Sequence, residues 1–405
     1  MGVSVYTNHL LQSLPINRVQ LSLTYMLGTL ASAALLPTVG RLLDRFGART
    51  LGAIAPLCLA LALLFLADSP RLLHQLTGHT SMPARWIAFS LVFIAFLGVR
   101  HFGQGQLTVV SRTMIGRWFE RRRGLVFGIS GLFVAFGFGV APMTLNRLIT
   151  ACGWQGSLVE LACVLAAMSI FAWITFRNSP EECGLVIDGG HKADAHTSKE
   201  SKPEHSFTSH EASQTLTFWV FNFGLMGQAL ISTAVVFHMG RIGQLNGMSA
   251  ERAFSVFLPV AVISTSCDLL GGALSDRLPL KYLLAFMQLG LCLGLLGLQH
   301  YGTLRGYAMT ALGLGISNGL YSLLSGAAWP KLFGRRHLGA ISGLSMAWIV
   351  AASAVGPYLF SLGQADSGSL HQVLLLSVLL PAAVFAASFF ANPPKRLNGL
   401  HNGAS

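Results

Sequence analysis

Apolar runs of about 20 residues recur along this chain, separated by short polar or basic stretches, and a helix rising 1.5 Å per residue needs about that length to cross roughly 30 Å of hydrocarbon. A first apolar stretch, Met1 to Leu14, stops at Pro15 and is too short to span. It reads as the second half of a first helix, and so points to a late start codon or a fragment. The runs that follow cover Arg18 to Val39, Leu51 to Ala67, Trp86 to Ser111, Gly124 to Leu148 and Gln155 to Phe176. A second series covers Leu216 to His238, Arg252 to Ser275, Tyr282 to Leu298, Gly306 to Trp329, Leu338 to Leu362 and Leu370 to Ala391. The pattern predicts an all-α integral membrane bundle with about 11 full spans, whose intact plan is twelve.

Between the two series the pattern breaks. Arg177 to Gln214 carries Pro180, Pro203, five glutamates and several Ser and His residues, the composition of a solvated linker. Its histidines, His191, His196, His205 and His210, have irregular spacing and no cysteine beside them, so the stretch reads as linker before metal tract. The expected organisation is an N-terminal transmembrane half at 1–176, a linker at 177–214, a C-terminal transmembrane half at 215–391 and a tail at 392–405.

The halves repeat each other at their loops. GRLLDRFGART, from Gly40 to Thr50, returns as GALSDR at Gly272 to Arg277, so that Asp44 pairs with Asp276 and Arg45 with Arg277. FERRRG from Phe119 returns as FGRRHLG from Phe333. Duplicated bundles with basic loops at corresponding places are the plan of many secondary transporters.

Composition supports the membrane reading: 53% of residues are hydrophobic and 10% charged, against about 25% charged in a soluble domain. The net charge of +12 sits in short loops without a stacking platform, which argues for membrane topology over nucleic acid. Of the 27 Lys and Arg residues, 19 fall on the side of the repeated loops, linker and C-terminus. The positive-inside rule makes that side cytoplasmic and the protein a multi-pass component of the plasma membrane, the inner membrane in a bacterium. No signal peptide, disulfide framework, metal site or cofactor motif is visible among these residues. GxxxxGK[ST] is absent and no Ser/His/Asp set gathers at one depth, which excludes ATP-driven transport and enzymatic activity on sequence grounds.

Gly40, Asp44, Arg45, Gly47 and Arg49 together, as G-x-L-x-D-R-x-G-x-R, resemble the signature loop of the major facilitator superfamily. WFERRRG at Trp118, SPEECGL at Ser179 and FGRRHLGAISG at Phe333 are similar to its oxalate/formate-antiporter and monocarboxylate-transporter branch. The resemblance implies a twelve-helix transporter that moves small organic anions by alternating access, as a proton symporter or an antiporter. Physically, the glycines allow a tight turn, and Asp44 and Asp276 can sit at helix N-termini, where the dipole favours an anion. Contacts made in only one conformation would bias the transport equilibrium; charges that merely set topology would not. These residues, with Asp276 and Arg277, are the expected gating loops.

Arg100 lies within a span, where an arginine costs about 2.5–3.5 kcal/mol on insertion scales and so faces a wet cavity or a partner. RHFGQG resembles the family's fourth-span R-x-x-Q-G, but Gln104 and Gly105 fall one place late, which leaves Arg100 and His101 as alternatives for the cavity-facing cation. Asp268 is the proton-coupling candidate and resembles the eighth-span aspartate of monocarboxylate transporters. Four places later, Gly272 stands where those relatives carry an anion-binding arginine, and the eleventh span lacks the oxalate exchanger's lysine. Asn222, Gln228, Asn318 and Tyr321 complete the candidate substrate contacts, each also able to serve as an interhelical hydrogen bond. The expected partners are an anionic solute, a proton or counter-anion, and the lipid bilayer. Two other functions stay open: an exporter of another solute class, such as a drug or siderophore, and a transport-incompetent sensor on the same fold.

Overall fold

Helix follows helix through a computed structural model that describes residues 2–79, 82–120, 122–185, 187, 206–361 and 367–394. Most of the linker, including His191, His196 and His205, and the tail from residue 395 lie outside the described residues. The short α1 (Gly2–Ser13) precedes α2 (Arg18–Thr77), which starts at a capping box: Asn17 accepts from the Gln20 amide at 2.8 Å while Gln20 accepts from the Asn17 amide. α2 is two crossings in one. Only Gly47, at φ 84°, leaves the helical region, and a left-handed residue there turns the chain back.

α3 (Ala84–Gly98), a π-helical stretch (Val99–Gln106) and α4 (Leu107–Trp118) form one crossing. α5 (Arg123–Thr175) is again double, broken at Gly153 with φ 74°. A 3₁₀ turn (Pro180–Cys183) and the short α6 (Ser209–Ser213) flank the linker. The second half comprises α7 (Leu216–Leu245), the short α8 (Ala250–Phe254), α9 (Phe257–Ser275), α10 (Leu280–Gln299), α11 (Leu304–Phe333), α12 (Leu338–Ser361) and α13 (Ser367–Ser388). Eight apolar helices among the described residues are long enough to cross a membrane, and dividing α2 and α5 at their glycines follows the spacing expected from the apolar runs.

The two halves meet chiefly along two helix pairs, α2 on α12 and α5 on α9, with α4 and α5 also reaching α11 and α4 reaching α12. Glycines set both contacts. A Cβ on Gly339 would lie 2.6 Å from the Gly40 carbonyl oxygen, and one on Gly272 would lie 2.5 Å from that of Gly124. Backbones so close admit no side chain, the packing that small residues permit between membrane helices.

Two boundaries differ from the sequence expectation. Gly40 to Thr50 is not an open loop: helix continues to Phe46 and resumes after Gly47, so Asp44 and Arg45 sit on the last helical turn. Arg112 is not in a basic loop either. α4 (Leu107–Trp118) carries it on the helix and continues past it to Trp118, placing its guanidinium against the second half, with Nη1 3.4 Å from the Ser325 carbonyl oxygen. A hydropathy boundary drawn at the first base ends this span about two turns early.

Candidate functional site: a one-sided cavity and the contacts beneath it

Between the halves lies a cavity of about 800 Å³, walled by α1, α2 and the α3–π–α4 crossing on one side and by α7, α11 and α12 on the other. Arg100 and Gln104 project into it from the π-helical stretch. Arg100 donates to Gln104 Oε1, and its guanidinium lies 5.1 Å from the centre of the Tyr25 ring. The wide turn accounts for the register of RHFGQG: a π-helical stretch is an α-helix that has absorbed one additional residue, as required by Gln104 and Gly105 standing one place late. His101 is not among the lining residues. Its ring reaches the Ser32 backbone and packs edge-on against Phe102 at 5.1 Å, toward α2.

The opposite wall is polar and uncharged. Asn318 Oδ1 accepts from Gln228 Nε2 at 2.7 Å and from Ser232 Oγ at 3.2 Å, while Ser317 donates to Gln228 Oε1. Tyr321 lines the cavity one turn further along α11. Asn222 does not: it is fully buried between α7 and α12, where it accepts from Ser345 at 2.7 Å. Four of the predicted substrate contacts other than Arg100 and Gln104 were therefore partitioned by helix rotation, Gln228, Asn318 and Tyr321 to the cavity and Asn222 to the packing.

Met346 and Ile349 of α12 line this cavity and also a small one of about 10 Å³ below it, which contains Arg112. Asp268 lies in the same layer. It is buried, hydrogen-bonded to Ser322, packed over Gly131 of α5, and in electrostatic contact with Arg112, while its Oδ1 has no partner among the described residues. Arg112 also interacts with Tyr321. The first half thus sets an arginine against an aspartate of the second directly under the cavity floor. Arg112 was missed in the sequence because it abuts the basic run; no spacing signal distinguishes it.

Below this layer the repeated loops close the bundle. Asp44 accepts from the backbone amides of Gly339 at 2.9 Å and Ala340 at 2.7 Å, and from Arg117 Nη2 at 2.8 Å. It therefore caps the N-terminus of α12, a helix of the other half. Asp276 does the same in reverse, accepting at 3.1 Å from the amide of Gly124 at the start of α5. Each duplicated aspartate binds the positive end of a helix across the interface, where four amides would otherwise lack partners. Arg335 joins the set by donating to the Arg117 carbonyl at 2.6 Å and lying 3.7 Å from Glu181. Arg49 donates from its amide to Asn178 at 3.0 Å and stacks over Trp173 at 4.7 Å, which ties the turn at Gly47 to the end of α5. Arg45 and Arg277 are exposed.

An all-helical membrane bundle of two similarly locked halves around a cavity open on one side is the architecture of an alternating-access carrier. Residues 1–357 match the Major Facilitator Superfamily, and the chain belongs to that family; it is a multi-pass membrane protein. It is 31% identical over 153 residues to the multidrug resistance protein B homolog of Mycobacterium tuberculosis, covering 37% of this chain and only 25% of that relative's length. Among solved structures it resembles a bacterial homologue of the iron transporter ferroportin in an outward-facing state with soaked iron, with a TM-score of 0.71, 13% identity and coverage of 96% and 94% of the two chains. It also resembles the E. coli fucose:proton symporter, with a TM-score of 0.62, 14% identity and coverage of 92% and 97%. At these identities the structural likeness speaks for the fold alone.

Proposed function

We propose that the chain is a secondary active transporter that moves a small organic anion by alternating access, coupled to a proton or exchanged for a counter-anion. The observation that carries this reading is Arg100, the one charged side chain among the described residues that line the central cavity. A cation held at mid-membrane by an amide and an aromatic face is solvated while the cavity is open and needs an anion when it closes. The repeated loops are taken as cytoplasmic, which makes the cavity outward-open and the Asp44 and Asp276 contacts the closed inner gate. Asp268 is the proton carrier: neutralising it removes its attraction to Arg112 across the halves and favours their separation. Counterflow in proteoliposomes tests the function. Vesicles loaded with an organic anion should accumulate the labelled anion from outside, and Arg100→Gln should abolish this. Binding without any exchange would instead identify a receptor on a transporter fold.

A second reading, export of a different solute class, draws support from the partly apolar cavity walls and from the resemblance to a multidrug resistance homolog. A thermal-stabilisation screen with anions, cations and neutral amphiphiles separates the two, since an exporter of cations or neutral drugs would ignore every anion.

A further inference from the structure

Arg112 is short of partners for an arginine held inside the bundle. Only Nη1 of its fork of donors makes a contact, 3.4 Å from the Ser325 carbonyl oxygen and 4.0 Å from the Met346 sulfur. No carboxylate oxygen lies within 4.0 Å of the guanidinium among the described residues. The ionisable groups that face it are Asp268 of α9 and Tyr321 of α11, and Asp268 acts on it from beyond ion-pair distance.

The space beside it is polar and straddles the halves. α4 of the first half gives Thr108 and Arg112 to the small cavity, while α11 gives Ser325 and α12 gives Ser342 and Ser345. The Thr108 and Ser342 hydroxyls make no hydrogen bond among the described residues. At about 10 Å³ the cavity has room for one water and not for a carboxylate. Because its walls belong to both halves, parting of the halves at the sealed end widens it, while closure above narrows the cavity around Arg100. Met346 and Ile349 line both spaces and are the partition between them. Arg100 and Arg112 stand on one crossing, separated by roughly 18 Å of helical rise.

We infer that Arg112, with Thr108 and Ser342, forms a second oxyanion site, an inner station to which the carboxylate of the solute passes from Arg100 before release. The inference rests on the anion-transport reading above and adds a step to it. Asp268 competes with the solute for Arg112: ionised, it supplies the opposite charge, and neutral, it leaves the guanidinium to the solute. A proton bound at Asp268 therefore admits the anion to the inner station and its loss expels the anion, whichever form the empty protein holds.

Charge-selective labelling of the purified full chain tests it, in a background with the native cysteines replaced and Asp44→Asn opening the seal. Ser342→Cys places a thiol in the small cavity. The probes are the anionic 2-sulfonatoethyl and the cationic 2-(trimethylammonium)ethyl methanethiosulfonates, each rate divided by that with free 2-mercaptoethanol. The sulfonate should be favoured by about tenfold or more, the lower end of the enrichment that one sign of charge gives a cleft. Arg112→Gln should bring the preference to within about threefold of unity, Arg112→Lys should retain it, and Arg100→Gln should leave it unchanged. Asp268→Asn should raise it, and Arg112→Gln should abolish it in that background too, where no buried carboxylate is left to disturb the fold. A sulfonate preference that survives Arg112→Gln belongs to the basic loops at the entrance and overturns the inference. A thiol that neither reagent reaches, even with Asp276→Asn added, also overturns it, since a release station must open at the sealed end. Counterflow of an organic anion separates this from the broader reading: exchange alongside a preference that ignores Arg112 removes the inner station alone. An Arg112-dependent preference without exchange leaves an anion site on a protein that does not transport, and overturns the passage of solute.

Discussion

Replacing Asp44 by asparagine removes the charge at the contact that seals one end of the cavity. Its carboxylate takes two backbone amides at the α12 N-terminus and the Arg117 guanidinium, all at 2.7–2.9 Å, and both ion-pair side chains are only 13% exposed. An asparagine at this position retains one acceptor oxygen. Its NH₂ must face one of the three donors, so one charge-assisted bond is lost outright, worth about 1.5–3 kcal/mol, and the other two lose their charge. The α12 dipole also loses its counter-charge, for about 0.3–1 kcal/mol more. A total near 3 kcal/mol shifts the equilibrium between sealed and open forms by roughly a hundredfold. Asp276 still holds the second contact, so the shift is one of population and not of fold. Ser342 reports it: the residue is 7% exposed and lines the small cavity behind the seal. In a background in which the six native cysteines are replaced, the alkylation rate of Ser342→Cys by N-ethylmaleimide should rise between tenfold and a hundredfold in Asp44→Asn. An unchanged rate in a variant of unaltered melting temperature would refute the argument and reduce Asp44 to a topological signal.

Asp276→Asn should act in the same direction and more weakly, because Asp276 is exposed and caps its helix through the single Gly124 amide where Asp44 takes two amides and a guanidinium; the same alkylation assay ranks the two. Single cysteines at the exposed Arg41 and Leu278 should react with an impermeant maleimide only from the cytoplasm and one at Thr77 only from outside, and labelling of Arg41→Cys in intact cells would invert the assigned orientation. Arg112→Met should lower the melting temperature, since it removes a positive charge that faces the buried Asp268, whereas Arg112→Met with Asp268→Leu should recover most of the loss; equal melting temperatures for the single and double variants would show that the two residues are independent. Gly47→Ala should destabilise the turn by at least about 1 kcal/mol, read as a fall in melting temperature, and Gly47→Asn should do no better, because φ 84° with ψ 166° is a conformation open essentially to glycine and any Cβ there would meet the Asn178 side chain.

The bundle was legible in the sequence because hydrocarbon imposes length on every span, and Asp44 and Asp276 stood out because they repeat. Rotation about each helix axis was not. In a soluble helix the polar face reveals orientation, but here lipid and protein interior are both apolar, so Asn222 and Gln228 carried the same signal although one packs against Ser345 and the other builds the cavity wall. His101 and Arg100 were undecided for the same reason. Their separation depends on the π-helical stretch, whose one-residue surplus shows in the displaced Gln104 and Gly105 but whose position requires the backbone. Arg112 failed differently: a base next to a basic run counts as loop in any average, and only α12 and α11 packing on α4 turns it into an interior group.

Symmetry and asymmetry in this molecule divide along its depth. At the sealed end the halves are interchangeable, each giving an aspartate to a helix N-terminus of the other, so that both contacts must break together for the halves to part. At the centre they are not: the first half supplies both arginines, Arg100 and Arg112, and the second supplies Asp268 and the neutral Gln228–Asn318 wall. A symmetric seal can rock either way without preference for a solute. In the transport cycle proposed above, the asymmetric centre would make rocking depend on cargo, because a solute bridging Arg100 and Asn318 would join the halves above the floor while the aspartate contacts join them below. Strengthening the upper bridge compensates for opening the lower one, and a solute that reaches only one wall supplies no such bridge. Ligand length should therefore govern turnover separately from affinity: acids too short to touch Asn318 should bind Arg100 yet exchange slowly, and counterflow rates compared with calorimetric affinities across an acid series of increasing length test this directly.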